Sequence, residues 1–372
     1  MDNIAPHVVQ AGFHVDPRGR EPAQLLEDWP TLVDVAEAAQ AGGMRVTVVQ
    51  ACSRAQTLSR NGVRYVFFAD GTDAPALIRG LAPDVIHVHG LGFPREVLRL
   101  AAQVPAVPIL LQDHASRPPR LWRRRLHRRA FAAASAVAFC SKPQSRPFEQ
   151  ARLIAGRTSV HAVAESTSRF LPGDRSAARA HTGLEGDPCL LWVGHLSANK
   201  DPLTVLEGVS RAVPALPAVR LWCCFGEAPL ARAVTMRIER DERLRGRVHL
   251  LGRRPHGEIE SLMRAADVFV SGSHREGSGY ALIEALACGL PPLVTDIPSF
   301  RALTGEGAVG RLWRCGDAQS LADALLEIAS KPGPGLRAAV RAHFERELSL
   351  PALGSRLAQT YRDLITRRGG GE

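Results

Sequence analysis

Apolar and polar positions recur along this chain with two periods, one typical of buried strands and the other of amphipathic helices. The helical spacing of Leu25, Leu32 and Val35 predicts a helix over 24–41. Short apolar runs predict strands in the first half at 7–10, 46–49, 63–68, 85–89, 109–111 and 136–139. Strands that alternate with helices are typical of a parallel sheet covered by helices on both faces.

A second alternating series follows, with predicted strands at 190–193, 219–222, 248–251, 268–270 and 293–295. Between the two series, over 166–188, the periodicity fades, which is typical of an interdomain connection. We therefore predict an α/β protein with two doubly wound domains, 1–167 and 168–349. Residues 350–372 complete the chain as a helix, a candidate to return to the N-terminal domain, and a frayed tail from Arg367.

The bulk composition fits this division. A chain of 372 residues is too long for one ordinary core, and 45% hydrophobic with 23% charged residues is typical of globular proteins. No apolar run approaches the ~20 residues of a membrane span, and the N-terminus lacks the features of a signal peptide. The seven cysteines show no C-x-x-C spacing. We expect a cytoplasmic protein with buried free thiols.

The formal net charge of +10 is concentrated between Arg117 and Arg129. Trp122, Leu126 and Ala130 are four residues apart there, which predicts a helix with a narrow apolar stripe and a basic remainder. Three interpretations stay open: a solvated basic face, a site for an anionic acceptor or the inner membrane surface, and nucleic-acid binding. The low aromatic content of 5% argues against a base-stacking surface.

The most informative segment is 271–296, which contains Glu276 and Glu284. Between them a glycine-rich turn, 277–279, leads into the apolar-periodic run 280–287, which predicts a helix, and a buried strand follows. The first amides of a helix have no intrahelical partner and carry the positive end of the macrodipole. This layout favours an anionic ligand such as a diphosphate, although a purely structural helix end is an equally open interpretation.

With these elements in place, the C-terminal half resembles the retaining GT-B glycosyltransferases of glycosyltransferase family 4. The matching elements are the loop 194–201, the strand and turn 248–253 with the helix end at 262–267, the pair Glu276 and Glu284, and the strand region with Gly289, Pro292 and Thr295. The segments 41–47, 84–90 and 109–114 resemble the N-terminal half of the family more loosely. The resemblance implies two Rossmann-like domains facing a central cleft, an N-terminal one for the acceptor and a C-terminal one for the nucleotide sugar.

The resemblance also implies roles for individual residues. Lys200 would neutralise the diphosphate, Glu276 would contact hydroxyls of the donor sugar, and His114 would face the reacting sugar. We take these three as the catalytic residues. Glu284 would hold the ribose, Arg253 would flank the nucleoside, and His195 would add a hydrogen bond. The implied donor-binding set is Gly194, His195, Lys200, Arg253, Glu276, Gly277, Ser278, Gly279, Tyr280, Ala281 and Glu284.

The implied reaction is transfer of a sugar from a nucleotide-diphosphate donor with retention, through an oxocarbenium-like state. It would need neither a metal nor a cofactor, because Lys200 and the helix amides would stabilise the departing diphosphate. The base, the sugar and the acceptor are not identified by the sequence. Alternatives are a GT-B epimerase or phosphorylase, and a catalytically weak protein that binds sugar nucleotides or nucleic acid.

Three departures from the family pattern modify this expectation. His195 stands where the family usually has an arginine that helps hold the diphosphate, and Ser278 replaces the usual aromatic residue. The double-glycine acceptor loop is not evident, and Gly19-Arg20-Glu21 stands roughly in its place. Donor binding should therefore rely on Lys200 and the helix amides, and the acceptor should be unusual.

Two further patterns suggest chemistry that we do not assign. The run 305–310 satisfies G-x-G-x-x-G, but no helix is predicted after it, and a dinucleotide fingerprint requires strand, turn and helix in that order. His87 and His89 fall on one strand face, a spacing found in metal sites. No third ligand is evident, so we predict no metal site.

Overall fold

The computed structural model describes residues 5–114, 117–154, 156, 158–330 and 334–369. The chain forms two compact units. Unit 1 comprises Met1–Thr167 with Leu350–Glu372, and unit 2 comprises Ser168–Ser349. Each unit is an α/β structure built on a mainly parallel sheet, as the alternation of strand and helix patterns predicts.

Among the described residues, unit 1 has an eight-stranded sheet in the order β3-β4-β2-β1-β5-β6-β7-β8. Its neighbours pair in parallel except β3 and β4, which are antiparallel. The strands are β1 (His7–Gly12), β2 (Arg45–Ala51), β3 (Gln56–Arg60), β4 (Val63–Phe68), β5 (Val85–His89), β6 (Ile109–Gln112), β7 (Ala136–Phe139) and β8 (Ser159–Ala162). The central strand β1 is fully buried, because helices cover both faces of the sheet.

Six helices from the first part of the chain and one from its C-terminal end cover this sheet among the described residues. They are α1 (Pro22–Asp28), α2 (Pro30–Ala41), α3 (Ala74–Gly80), α4 (Pro94–Gln103), α5 (Arg124–Ala133), α6 (Arg146–Gln150) and the C-terminal helix (Leu350–Gly369). The C-terminal helix packs on α2. Its apolar positions Leu353, Leu357, Tyr361 and Leu364 are buried, as their spacing predicts. The helix continues through Gly369, so the prediction of a frayed tail is wrong for residues 367–369; residues 370–372 lie outside the described part.

Several local predictions in unit 1 were wrong. The segment 24–41 is not one helix, because Pro30 lacks an amide hydrogen and disfavours helical geometry at Trp29, where α1 ends and α2 begins. Strand β3 and strand β8 were not predicted. Strand β3 pairs with β4 through Asn61 and Gly62, both with positive φ, the signature of a tight hairpin turn.

Unit 2 has a six-stranded parallel sheet among its described residues, in the order β11-β10-β9-β12-β13-β14. Its strands are β9 (Cys189–Val193), β10 (Arg220–Cys224), β11 (Val248–Gly252), β12 (Val268–Ser271), β13 (Pro292–Thr295) and β14 (Arg311–Trp313). Its helices are α7 (Arg175–Thr182), α8 (Pro202–Ala212), α9 (Ala231–Arg240), α10 (His256–Ala265), α11 (Tyr280–Ala287), α12 (Pro298–Leu303), α13 (Ala318–Ala329) and α14 (Pro334–Glu347). Helix α7 falls inside the segment predicted to be a connection, and β14 was not predicted.

The cysteines are all free. Five of them are buried, as expected, Cys140 is half-buried, and Cys315 is exposed, which corrects the expectation for that residue. No helix within the described ranges is both long enough and apolar enough to cross a bilayer.

Burial of His87 makes the stability of the protein depend on pH. Its Nδ1 lies 2.8 Å from the Tyr361 hydroxyl, and desolvation lowers the pKa of His87 to about 3. The unfolded chain binds protons at this residue below about pH 6.5, whereas the folded chain does not. The stability that the neutral ring contributes is therefore present above pH 6.5 and lost progressively as the pH falls toward 3.

We expect the free energy of unfolding to fall by about 1.4 kcal/mol through His87 alone between about pH 7.5 and pH 5.5. A His87→Gln variant keeps a hydrogen-bonding group beside Tyr361 but cannot titrate, so it should lose less stability over that interval. Urea unfolding at the two pH values measures the difference. An equal loss in the variant and the parent protein would contradict this prediction.

Candidate functional site

The strand order of unit 2 places two loops side by side. From β9 the chain winds to one side through β10 and β11, and then returns to the other side of β9 with β12. The carboxyl ends of β9 and β12 therefore meet at the point where the order reverses, where open α/β sheets bind their ligands. The loop 194–201 follows β9, and the turn 272–279 follows β12.

Lys200 and Glu276 meet between these two segments. The Nζ of Lys200 forms an ion pair with Glu276 Oε1, and the hydroxyl of Ser273 donates a hydrogen bond of 2.5 Å to the same oxygen. The Lys200 side chain is 23% exposed and that of Glu276 is 14% exposed, so both reach solvent. The pair is thus positioned from two directions and remains accessible to a ligand.

Backbone and side-chain contacts fasten the two segments together. The His274 amide donates to the Asn199 carbonyl at 2.8 Å, and the Asn199 side chain donates to the Arg275 carbonyl at 3.0 Å. Asp201 caps the first turn of α8 through the Thr204 amide and lies 3.1 Å from His274 Nε2. These contacts hold Lys200 at a fixed position relative to the turn.

Helix α11 begins at this turn with Tyr280, and the preceding residue, Gly279, has a backbone conformation that favours glycine. Gly279 has φ +62°, in the left-handed region, and a Cβ there would lie 2.8 Å from Leu303 Cδ1. The Leu282 and Ile283 amides both donate to the Gly279 carbonyl, and the amino end of α11 carries the positive end of the helix dipole. The arrangement is suited to an anion.

We expect Gly279→Ala to lower the free energy of unfolding by about 1–3 kcal/mol, because an alanine is strained at this φ and has no space beside Leu303. Gly257→Ala, in α10, is the matched control: nothing lies within 4 Å of a Cβ there. The control should leave stability unchanged or raise it slightly. Denaturant titration of both variants measures this, and equal effects would contradict it.

A cavity of about 240 Å³ opens at this point. It is lined by eight of the predicted donor-binding residues, Gly194, His195, Lys200, Glu276, Gly279, Tyr280, Ala281 and Glu284, and by Val193, Phe269, Ser271, Leu282 and Phe300. Gly277, Ser278 and Arg253 do not line it. The first of these glutamates and the lysine therefore share one cavity with the amino end of α11.

Glu284 has a partner that the sequence did not suggest. Its Oε1 lies 2.6 Å from Nε2 of His256, the first residue of α10. The ring of His256 stacks near Phe170 with centroids 4.8 Å apart. Glu284 therefore faces the cavity as one half of a carboxylate–imidazole pair.

His195 and Arg253 approach each other beside the cavity. The Glu227 amide donates to His195 Nδ1 at 3.0 Å, so a neutral His195 ring carries its hydrogen on Nε2. Both side chains are exposed. A Cβ at Gly226 would lie 3.5 Å from Arg253 Nη2 and from His195 Cε1. Each side chain can present a donor to a ligand, and the arrangement is consistent with their predicted roles.

His114 belongs to unit 1 and lies two residues after the end of β6. Its Nδ1 pairs with the buried carboxylate of Glu165, and its Nε2 lies 3.2 Å from Nδ1 of His89. His89 in turn lies 3.3 Å from the side-chain oxygen of Gln10. Burial lowers the pKa of His89 well below the usual range. His114 is thus the half-exposed end of a buried polar chain, and Glu165 is the partner that sequence reasoning missed.

The two patterns that we left unassigned have structural explanations. Gly305, Gly307 and Gly310 have positive φ and join α12 to β14, so the order is helix, turn, strand, the reverse of a dinucleotide fingerprint. His87 and His89 share a strand face, as predicted, with ring centroids 4.4 Å apart. In the part of the chain that the structure describes, no group of three His, Cys, Asp or Glu side chains is arranged to hold a metal ion.

The part of the chain that contains this cavity is similar to known proteins. Residues 174–344 match the family model of glycosyl transferases group 1. The GDP-mannose:cellobiosyl-diphosphopolyprenol alpha-mannosyltransferase of Xanthomonas campestris is 27% identical over 266 residues, covering 69% of this chain and 67% of that protein. The D-inositol 3-phosphate glycosyltransferase of Mycobacterium bovis is 30% identical over 215 residues, covering 54% of this chain and 44% of that protein.

Solved structures share the fold. Sucrose-phosphate synthase from Thermosynechococcus elongatus aligns with a TM-score of 0.72 at 18% identity, over 97% of this chain and 100% of that one. HepE of Anabaena in complex with UDP aligns with a TM-score of 0.71 at 19% identity, over 96% and 100%. These structures confirm the fold class expected from the sequence, and the matches to group 1 glycosyl transferases support glycosyltransferase activity.

Proposed function

We propose that the protein is a retaining, metal-independent glycosyltransferase of the family 4 type, which transfers a hexosyl group from a nucleotide-diphosphate sugar. The observation that carries the proposal is the Lys200–Glu276 pair in the cavity at the amino end of α11. A cation, the positive end of a helix dipole and an acidic acceptor of hydroxyl hydrogens occur together there. These are the groups that a sugar diphosphate requires.

The chemistry follows from charge. As the bond to the sugar breaks, negative charge develops on the diphosphate, and preorganised positive groups stabilise it. Lys200 and the first amides of α11 supply that charge from two sides. Donor binding would move Lys200 from Glu276 onto a phosphate, while Glu276, still held by Ser273, would accept hydrogen bonds from the sugar hydroxyls. The diphosphate of the donor would thus replace Glu276 as the anionic partner of Lys200.

The remaining predicted site residues would bind the nucleoside and the reacting sugar. Glu284, oriented by His256, would accept hydrogen bonds from the ribose hydroxyls. His195 and Arg253 would flank the phosphates and the nucleoside. His114 would face the reacting sugar from unit 1, with its ring orientation fixed by Glu165.

The acceptor that we propose is a saccharide linked to a lipid diphosphate, used at the cytoplasmic face of the membrane. The Xanthomonas relatives are named for cellobiosyl-diphosphopolyprenol, an acceptor of this kind. Such an acceptor also agrees with the absence of the family's usual acceptor loop at 19–21. Acceptor binding is assigned to unit 1.

A thermal-shift screen with UDP, GDP, ADP and their sugars tests the proposal. One of these series should raise the unfolding temperature, because a ligand at 100 times its Kd adds about 2.7 kcal/mol to stability. The preferred donor should then be hydrolysed slowly by the parent protein and by Lys142→Gln, a matched lysine control in unit 1, but not by Lys200→Gln. Stabilisation by none of these compounds would overturn the proposal.

A second measurement separates the proposal from a GT-B epimerase or phosphorylase. Proton NMR of the donor during turnover should show free sugar or glycosylated acceptor in which the first-formed anomer has the configuration of the donor. An isomerised nucleotide sugar would indicate the epimerase, and a sugar phosphate formed with inorganic phosphate would indicate the phosphorylase.

A further inference from the structure

Two large apolar side chains project into solvent from unit 1 at a place where the fold does not need them. Leu121 is 76% exposed and Trp122 is 75% exposed. They lie on the 3-10 turn Leu121–Arg123 that precedes α5. The predicted helix is confirmed over Arg124–Ala133, and Ala130 of the predicted apolar stripe is buried. The prediction was wrong at Trp122, which lies before the helix and is exposed.

The surroundings of this pair are strongly basic. The segment from Arg117 to Arg129 contains seven arginines and no acidic residue. Among the described residues, no carboxylate forms an ion pair with any of these arginines. The guanidinium carbon of Arg123 lies 5.5 Å from the centre of the Trp122 ring. We call this region, residues 117–129 with Arg152, the arginine surface.

The arginine surface is held in place by the fold. Arg124 Nε donates to the Pro119 carbonyl at 3.2 Å, and Arg128 Nε donates to the Arg152 carbonyl at 2.9 Å. The Thr158 hydroxyl donates to the carbonyl of the buried Phe131. An open cavity of about 580 Å³ lies on this surface, lined by Leu121, Arg124, Arg125, Arg128, Gln150, Ala151 and Arg152. Four arginines thus line one depression together with Leu121.

We propose that the arginine surface docks the protein on an anionic lipid membrane, with Leu121 and Trp122 entering the interface and the arginines contacting lipid phosphates. Tryptophan is enriched at membrane–water interfaces, and adjacent exposed apolar residues surrounded by arginines are typical of interfacial binding. Arginine matches phosphate oxygens with two parallel hydrogen bonds.

A nucleic-acid site is the weaker interpretation of the same charge. Single strands bind to several aromatic platforms in succession. The arginine surface, all of which the structure describes, contains one Phe, Tyr or Trp residue, the exposed Trp122. An exposed leucine beside the tryptophan gains nothing from phosphates or base edges, whereas it gains from burial in a lipid interface.

The proposed function supplies the purpose of membrane docking, which is access to a lipid-linked acceptor. Membrane binding itself can be tested independently of the proposed function. The test is co-sedimentation with vesicles of phosphatidylcholine alone and with about one-third phosphatidylglycerol. The parent protein should sediment with the anionic vesicles only. Removing three arginines in Arg124→Gln/Arg125→Gln/Arg128→Gln should weaken binding about 100-fold, since each arginine near a membrane contributes about fivefold.

Matched controls decide whether the site or the total charge is responsible. Arg232→Gln/Arg240→Gln/Arg243→Gln removes the same charge from exposed positions of unit 2 and should bind as the parent does. Leu121→Ala/Trp122→Ala should weaken binding at least about tenfold, whereas Leu171→Ala, another exposed leucine, should not. In the parent protein, brominated lipids should quench Trp122 fluorescence, a signal absent in Trp122→Phe.

Failure to bind anionic vesicles, or equal losses in the two arginine triples, would overturn the docking proposal. Binding of a single-stranded oligonucleotide that depends on the arginine surface, without vesicle binding, would replace it with the nucleic-acid interpretation. Nucleotide stabilisation measured on the same preparations reports separately on the proposed function. Loss of vesicle binding with intact nucleotide binding would therefore overturn docking alone.

Discussion

Replacing Lys200 with glutamine is expected to lower kcat for sugar transfer by about 10²–10³-fold, the usual effect of removing one preorganised group that stabilises developing charge. Glutamine is one atom shorter than lysine and retains a hydrogen-bond donor but not the charge. Because the ammonium also neutralises the diphosphate in the ground state, the affinity for the nucleoside diphosphate should fall as well. Steady-state kinetics and isothermal titration with the preferred nucleotide measure the two effects.

The control for this variant is Lys142→Gln, which removes an exposed lysine from unit 1 and should leave both quantities unchanged. Loss of charge from Lys200 also leaves Glu276 without its cation, so the double variant Lys200→Gln/Glu276→Gln should be no worse than the two single effects combined. A Lys200→Gln protein with nearly normal kcat would remove Lys200 from the reaction.

Replacing Glu276 with glutamine should weaken a different interaction, the one with the donor sugar. The carboxylate is predicted to accept hydrogen bonds from the donor sugar, and charge-assisted bonds contribute about 1.5–3 kcal/mol each, so kcat/KM for the nucleotide sugar should fall about 10–100-fold for each bond lost. The affinity for the nucleoside diphosphate, which lacks the sugar, should change less than about threefold.

Ser273→Ala provides the matched variant for Glu276, because it removes the hydroxyl that positions Glu276 Oε1 but leaves the carboxylate. It should show a smaller loss in kcat/KM, and nucleoside diphosphate binding should again be unchanged. If Glu276→Gln weakened the binding of nucleotide and nucleotide sugar equally, Glu276 would act on the diphosphate through Lys200 and not on the sugar.

Much of the fold was predictable because its signals are local. Buried parallel strands leave short apolar runs, and the C-terminal helix leaves a regular spacing of leucines with Tyr361. The turn 277–279 was predictable for the same reason, since glycine, a following helix and a preceding strand lie within a few positions. The helix break at Pro30 and the hairpin turn at Gly62 also have local signals, a proline and a glycine. The longer apolar patterns around them predicted continuous elements instead.

The partners of the site residues were not predictable, and most of them come from distant parts of the chain. Ser273 is the exception: it is close to Glu276 in sequence, but a serine in a polar turn has no distinguishing signal. His256 reaches Glu284 across 28 residues, and Glu165 reaches His114 across 51. Only the folded sheet brings these pairs together. Likewise the exposure of Trp122 follows from the 3-10 turn before α5, which the helical spacing concealed.

The most direct test of the central claim is a crystal structure of the protein with the nucleoside diphosphate that stabilises it. A phosphate oxygen is expected within about 3 Å of Lys200 Nζ and of backbone amides in the first turn of α11. The ribose hydroxyls should contact Glu284. A diphosphate bound elsewhere on unit 2, with the Lys200–Glu276 pair undisturbed, would contradict the account.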